Sequence, residues 1–150
     1  MSIRFEVTRT FQVSKQEAYR SLLDLQAAEK WMQGLVGIER LDKGEMKVGS
    51  EWKETRKMFG QEASEYFEVV ELDEPNKIVY YVDGARGTTG KGEYIYTYLL
   101  TSVGDKTEVT LQGEIKGLTG LTKLFGKLMK GTFAKACAKD MDALKSYLEK

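Results

Sequence analysis

The chain has 150 residues, 41% of them apolar and 31% charged, and 23 basic side chains balance 23 acidic ones. That size and composition suit one soluble domain with a real core, and zero net charge excludes a global field for recruiting nucleic acid. With no histidine and a lone cysteine, Cys137, the sequence excludes Ser-His-Asp and Cys-His relays, imidazole or thiolate metal sites, and an intramolecular disulfide.

From the first residues, Met1-Ser2-Ile3-Arg4-Phe5-Glu6, the chain shows no apolar leader, and no apolar run approaches spanning length. Together with the single cysteine, this implies a cytoplasmic protein. Arg4 to Val13 alternates, with Phe5, Val7 and Phe11 among polar neighbours, which predicts a first strand. Ser14 with Glu17 three residues on reads as a capping box, opening a short helix that carries Ala18, Tyr19, Leu22 and Leu23. A second short helix is predicted at about 27–32 and includes Trp31, with Gly34 and Gly37 ending it.

Strands are then predicted near 36–43, 47–59, 62–73, 77–83, 92–102 and 106–116. Lys43-Gly44, Phe59-Gly60, Asp73-Glu74-Pro75-Asn76, the stretch 83–92 and Gly104-Asp105 supply turns, and links this short pair strands antiparallel. Side-chain parity places Val109, Leu111, Gly113 and Ile115 on one face, Tyr96, Tyr98 and Leu100 together, Phe67 with Val69, and Trp52 with Met58. Glu54 and Arg56 share the parity of Trp52, so either two charges enter the interior or a bulge flips the register. The glycine-rich stretch 84–92 lacks the P-loop spacing and reads as a mobile hairpin tip.

Residues 118–149 form a predicted amphipathic helix whose apolar positions include Leu121, Leu124, Phe125, Leu128, Met129 and Leu144. The stripe through Leu121, Phe125 and Leu128 drifts out of phase with Leu144 and Leu148, so a bend or break near Gly131 is expected. Lys123, Lys127 and Lys130 lie opposite that stripe, in a segment free of acids between Ile115 and Lys139. Such a segment is either the solvent face of a docked helix or a transient contact for anionic lipid headgroups.

The stretches Arg9-Thr10-Phe11-Gln12-Val13-Ser14, Lys30-Trp31-Met32, Val48 through Arg56, Tyr66 through Asn76 and Tyr96-Thr97-Tyr98-Leu99-Leu100 carry a family resemblance. Through them the chain resembles the polyketide cyclase/dehydrase-like branch of the START-like (SRPBCC, Bet v 1-like) superfamily. The resemblance implies an α+β helix-grip fold, a seven-stranded antiparallel sheet wrapped around a long C-terminal helix, over residues 1–150 as one domain. It also implies a pocket between the concave sheet face and that helix, with a mouth near the second short helix. The family shares no catalytic motif, so no catalytic residue is carried over; with no histidine, one cysteine and no spaced Asp/Asn loop, no metal ligand is expected either, and no cofactor.

The expected ligand-binding residues are Trp31, Trp52, Glu54, Arg56, Phe67, Tyr80, Tyr96, Tyr98, Leu121, Phe125, Leu128 and Met129, with Glu65 a further candidate beside the Glu54–Arg56 pair. The leading expectation is a carrier or sensor of a small hydrophobic molecule, lipid or polyketide-like. One alternative is a cyclase or dehydratase working with Tyr, Glu and Arg in the same cavity; another is a protein-interaction module with a filled interior. The expected partners include neither nucleic acid nor a stably inserted membrane, and the oligomeric state is left open.

Overall fold

The computed structural model describes residues 2–58 and 60–150, with the side chain of Met58 excepted. The expected inward parity of Met58 and the Phe59 half of the Phe59-Gly60 turn therefore lie outside the described residues. The elements are β1 (Ile3–Phe11), α1 (Lys15–Leu23), a 3-10 turn (Ala28–Lys30), β2 (Leu35–Arg40), β3 (Glu51–Met58), β4 (Gln61–Asp73), β5 (Lys77–Asp83), a second 3-10 turn (Gly84–Arg86), β6 (Glu93–Val103), β7 (Lys106–Lys116) and α2 (Gly120–Leu148). They build a seven-stranded antiparallel sheet in the order β1-β7-β6-β5-β4-β3-β2 with a long C-terminal helix, the helix-grip arrangement. Short turns produce the meander β2 to β7, and β1 closes against β7 because α1 and the first 3-10 turn carry the chain to the far edge.

Local signals in the sequence account for most boundaries. Ser14 caps α1, its hydroxyl accepting from the Glu17 backbone N–H at 3.2 Å. β3 and β4 pair without a register shift, so Glu54 keeps the inward parity of Trp52 and is buried. The irregularities fall instead at Leu35/Gly37 and Val69/Glu71.

At the β2–β3 connection, Arg40 donates from Nε and Nη2 to both oxygens of Asp42, and Ser50 Oγ and the Glu51 N–H donate to the same carboxylate. These contacts, the Arg40 guanidinium foremost, hold the Asp42 carboxyl down at about 2 against an ordinary 3.8. A depressed folded-state value stabilises the fold above the unfolded pKa, and that contribution fades as pH falls from 3.8 toward 2. A carbon-detected NMR titration should therefore place the Asp42 midpoint near 2; an unshifted midpoint would mean that the turn is not held this way.

The core runs along the concave face. Val7, Phe11, Trp31, Trp52, Val69, Ile78, Tyr80, Leu100, Val109 and Leu111 from the sheet side meet Met141 and Leu144 of α2. α2 contributes mainly through its second half, and ties from β1 to that half hold it there. Arg9 Nε donates to Asp142 at 2.7 Å, Lys145 Nζ to the Thr10 carbonyl at 2.7 Å, and the Gln12 N–H to Glu149 at 3.0 Å.

The first half of α2 departs from expectation. No break occurs at Gly131; the helix runs unbroken from Gly120 to Leu148. In a continuous helix Gly126 and Leu144, about five turns apart, point the same way. Gly126 is accordingly the buried position, close to Leu118 and Ile3, while Leu121, Phe125 and Leu128 are 84%, 62% and 74% exposed. The stripe expected to lie on the sheet faces solvent instead, because the second half, anchored by Met141 and Leu144, sets the phase for the whole rod.

Candidate ligand-binding site

Inward parity across the central strands lines up aromatic side chains. Tyr96 of β6 pairs with Tyr80 of β5, Tyr98 with Ile78, and Trp52 of β3 with Phe67 of β4. The rings touch: Trp52 stacks on Phe67 at 5.4 Å between centroids, and Tyr80 meets Trp52 edge-on at 5.2 Å. Phe67 and Tyr96 are 6.2 Å apart, and Tyr80 and Tyr98 5.9 Å. Trp31, just after the first 3-10 turn, is buried against the same cluster. Offset and edge-on contacts of this kind add to the area the rings bury.

Beside the rings sits a charged cluster. Arg56 Nε donates to Glu54 at 2.6 Å, and Arg56 Nη1 donates to Asp140 of α2, also at 2.6 Å. The side chains retain 22%, 7% and 16% of their surface for Arg56, Glu54 and Asp140. The Gln33 N–H donates to the other Asp140 oxygen at 3.0 Å, so the cluster clamps β3, the loop before β2 and α2 together. Burial opposes the Arg56 charge, but Glu54 and Asp140 outweigh it and raise the guanidinium's pKa. Two carboxylates around one guanidinium leave one negative charge in a largely dry place.

Burial, assisted by Glu54, pushes the Tyr80 phenol upward, and its hydroxyl donates to the Leu22 carbonyl at 3.1 Å. Burial likewise raises Tyr96 and Tyr98. These two are half-buried, and neither hydroxyl makes a hydrogen bond to another described residue. The indole N–H groups of Trp31 and Trp52 are buried and without a partner among the described residues.

Cys137 of α2 belongs to this neighbourhood, and burial, with Asp140 nearby, pushes its thiol up to about 12. At pH 8 its iodoacetamide labelling should be on the order of a thousandfold slower than that of a free cysteine, because the thiolate is the reactive form. Rapid labelling of the folded protein would place the thiol in an open, polar setting.

The expected residues thus divide. Trp31, Trp52, Glu54, Arg56, Phe67, Tyr80, Tyr96 and Tyr98 are brought together on the concave side, whereas Leu121, Phe125 and Leu128 point away from it and Met129 is half-buried on the flank of α2. Glu65 does not join the ion cluster. It accepts from the Thr89 N–H at 3.0 Å and from the Thr89 hydroxyl, while Ser64 and Thr88 exchange hydrogen bonds of 2.8 Å. Those contacts tie the glycine-rich segment, which forms the β5–β6 hairpin connection as expected, to β4. Asp140 escaped sequence reasoning, although its place four residues before Leu144 puts it near the packed face of α2.

An open space of about 980 Å3 lies at the β1–β7–β6 side, next to the rings rather than among them. Phe5, Gly113, Lys127, Lys130, Gly131 and Ala134 line it, with Arg4, Glu6 and Gln112 from the same strands. Its walls follow from the phase of α2, which turns lysines and small residues, not leucines, toward the sheet. Gly113 pairs with both Phe5 and Tyr96 and carries no side chain, so the Phe5 ring lies over it where a β-carbon would collide.

A family described as polyketide cyclase / dehydrase and lipid transport matches residues 2–149. No curated protein matches the chain by sequence. Among solved structures, the ZhuI aromatase/cyclase from Streptomyces sp. R1128 superposes with a TM-score of 0.83 at 14% identity, covering 99% of this chain and 94% of that one. Major latex-like protein 151 from Panax ginseng gives 0.81 at 11% identity, with 97% of each chain covered. A protein from Thermus thermophilus gives 0.78 at 15% identity, again with 97% of each covered. At such identities the likeness is one of fold.

Proposed function

This chain belongs to the polyketide cyclase/dehydrase and lipid transport family, and from that premise we propose that it binds a small hydrophobic molecule against the concave sheet face, as a carrier or sensor. The hydroxyls of Tyr96 and Tyr98, on the inward face of β6 and without a hydrogen-bond partner among the described residues, carry this reading. A half-buried phenol without a partner loses hydration, and a ligand oxygen or nitrogen restores it. Affinity would come from apolar ligand surface taken out of water, at about 25 cal/mol per Å2, with the phenols and the Glu54–Arg56–Asp140 cluster fixing orientation.

Burial raises Tyr80, Tyr96 and Tyr98 and keeps them as neutral phenols, so they act as hydrogen-bond donors and acceptors rather than as bases. A cyclase or dehydratase in this cavity would instead depend on Glu54 or Asp140 with Arg56, and its activity would collapse in Glu54→Gln.

Native mass spectrometry of protein purified from cells should show a bound mass that is lost on denaturation. Tyr96→Phe combined with Tyr98→Phe should weaken retention by about tenfold, the worth of one or two hydrogen bonds. A single apo mass, together with no displacement of an apolar fluorescent probe by fatty acids, would remove the proposal.

A further inference from the structure

We propose that the first half of α2 docks the protein on an anionic phospholipid bilayer. The inference stands apart from what the concave face holds, since it rests on the opposite side of the helix. Leu121, Leu124, Phe125 and Leu128 form one continuous ridge, 84%, 54%, 62% and 74% exposed. Four large apolar side chains on adjacent turns make a patch of the kind that marks a contact surface, unlike scattered exposed residues. The ridge does not swing inward in this fold, because the second half of the same helix is tied to β1 through Asp142, Lys145 and Glu149.

Charge decides what covers the ridge. Between residues 116 and 139 the chain carries Lys116, Lys123, Lys127, Lys130, Lys135 and Lys139 and no acid, although the whole chain is neutral. Positive charge is therefore concentrated on and around this helix half, balanced by acids elsewhere. Lys135 and Lys139 are exposed and share the leucines' side of α2, where their stems can lie along apolar surface while the ammonium groups reach headgroups. A second copy of this chain is the weaker occupant: an isologous contact would bring the two lysine sets face to face. An anionic interface meets Lys135 and Lys139 and buries the leucines at once, with the remaining lysines adding to the local positive field.

Flotation with vesicles tests this. The protein should bind vesicles of roughly one-third phosphatidylserine in phosphatidylcholine at least about tenfold better than vesicles of phosphatidylcholine alone. Binding should fall by about the same factor in roughly 0.5 M salt, where screening is strong. Leu121→Ser with Leu128→Ser, and separately Lys135→Glu with Lys139→Glu, should each lose about tenfold in binding. All four positions are exposed, so folding, checked by circular dichroism, should be kept. Phe125→Trp should show blue-shifted emission on adding the anionic vesicles. Equal binding to both vesicle types, no binding, or indifference to the leucine and lysine changes would each overturn the proposal. So would a concentration-dependent dimer that Leu121→Ser with Leu128→Ser dissolves, since the ridge would then belong to a second copy.

Discussion

Arg56→Met should destabilise the fold by about 3 kcal/mol or more, the largest effect expected of any single charge removal here. The replacement keeps most of the side chain's bulk, so the loss is electrostatic. Glu54 and Asp140 would face each other across a largely dry gap with no cation between them, and both retain little surface through which water could compensate. The clamp between β3 and α2 would also be lost. Neutralising the carboxylates should repair much of the damage: Arg56→Met with Glu54→Gln and Asp140→Asn should recover most of the loss, because a buried ion cluster is costly to break but cheap to replace whole. Urea unfolding followed by circular dichroism reads both numbers. A cost below about 1 kcal/mol for Arg56→Met would mean that the cluster is screened as a surface ion pair is.

Trp52→Ala should cost about 3–5 kcal/mol, the range for emptying a large aromatic site in a packed core. Trp52 is 1% exposed and contacts both Phe67 and Tyr80, so its removal leaves two rings without a neighbour. Trp52→Phe should be far milder, about 1–2 kcal/mol, for a reason specific to this site. The indole N–H is buried without a partner among the described residues, so phenylalanine discards a group that carries a desolvation penalty in the folded state. If Trp52→Phe proved as damaging as Trp52→Ala, the N–H would have a partner in solution, and a ligand acceptor would be the first to seek.

The strands were legible because each carried its own signal. β5 and β7 fall at the residues that alternation and turn chemistry predict, and inward parity correctly grouped Tyr96, Tyr98 and Leu100 and left Glu54 and Arg56 inside once the bulge alternative was settled. The pair Glu54–Arg56 was legible for the same reason, being two residues apart on one strand. Its third member was not. Asp140 lies 84 residues from Arg56, and nothing local says which turn of a long helix crosses that strand.

Periodicity in the sequence determined that residues near 118–149 are helical, that the strands before them pair antiparallel, and that the aromatics of β3 to β6 share a face. Those properties depend on neighbours a few positions apart. Tertiary structure alone decided which side of α2 meets the sheet along its first half, because an unbroken helix transmits one rotational phase over its length. Met141, Leu144 and the ties to β1 set that phase from the far end, so Gly126 turns inward and Leu121, Phe125 and Leu128 turn to solvent. A local apolar stripe tells a helix to bury one face; the better-anchored half tells it which face that is.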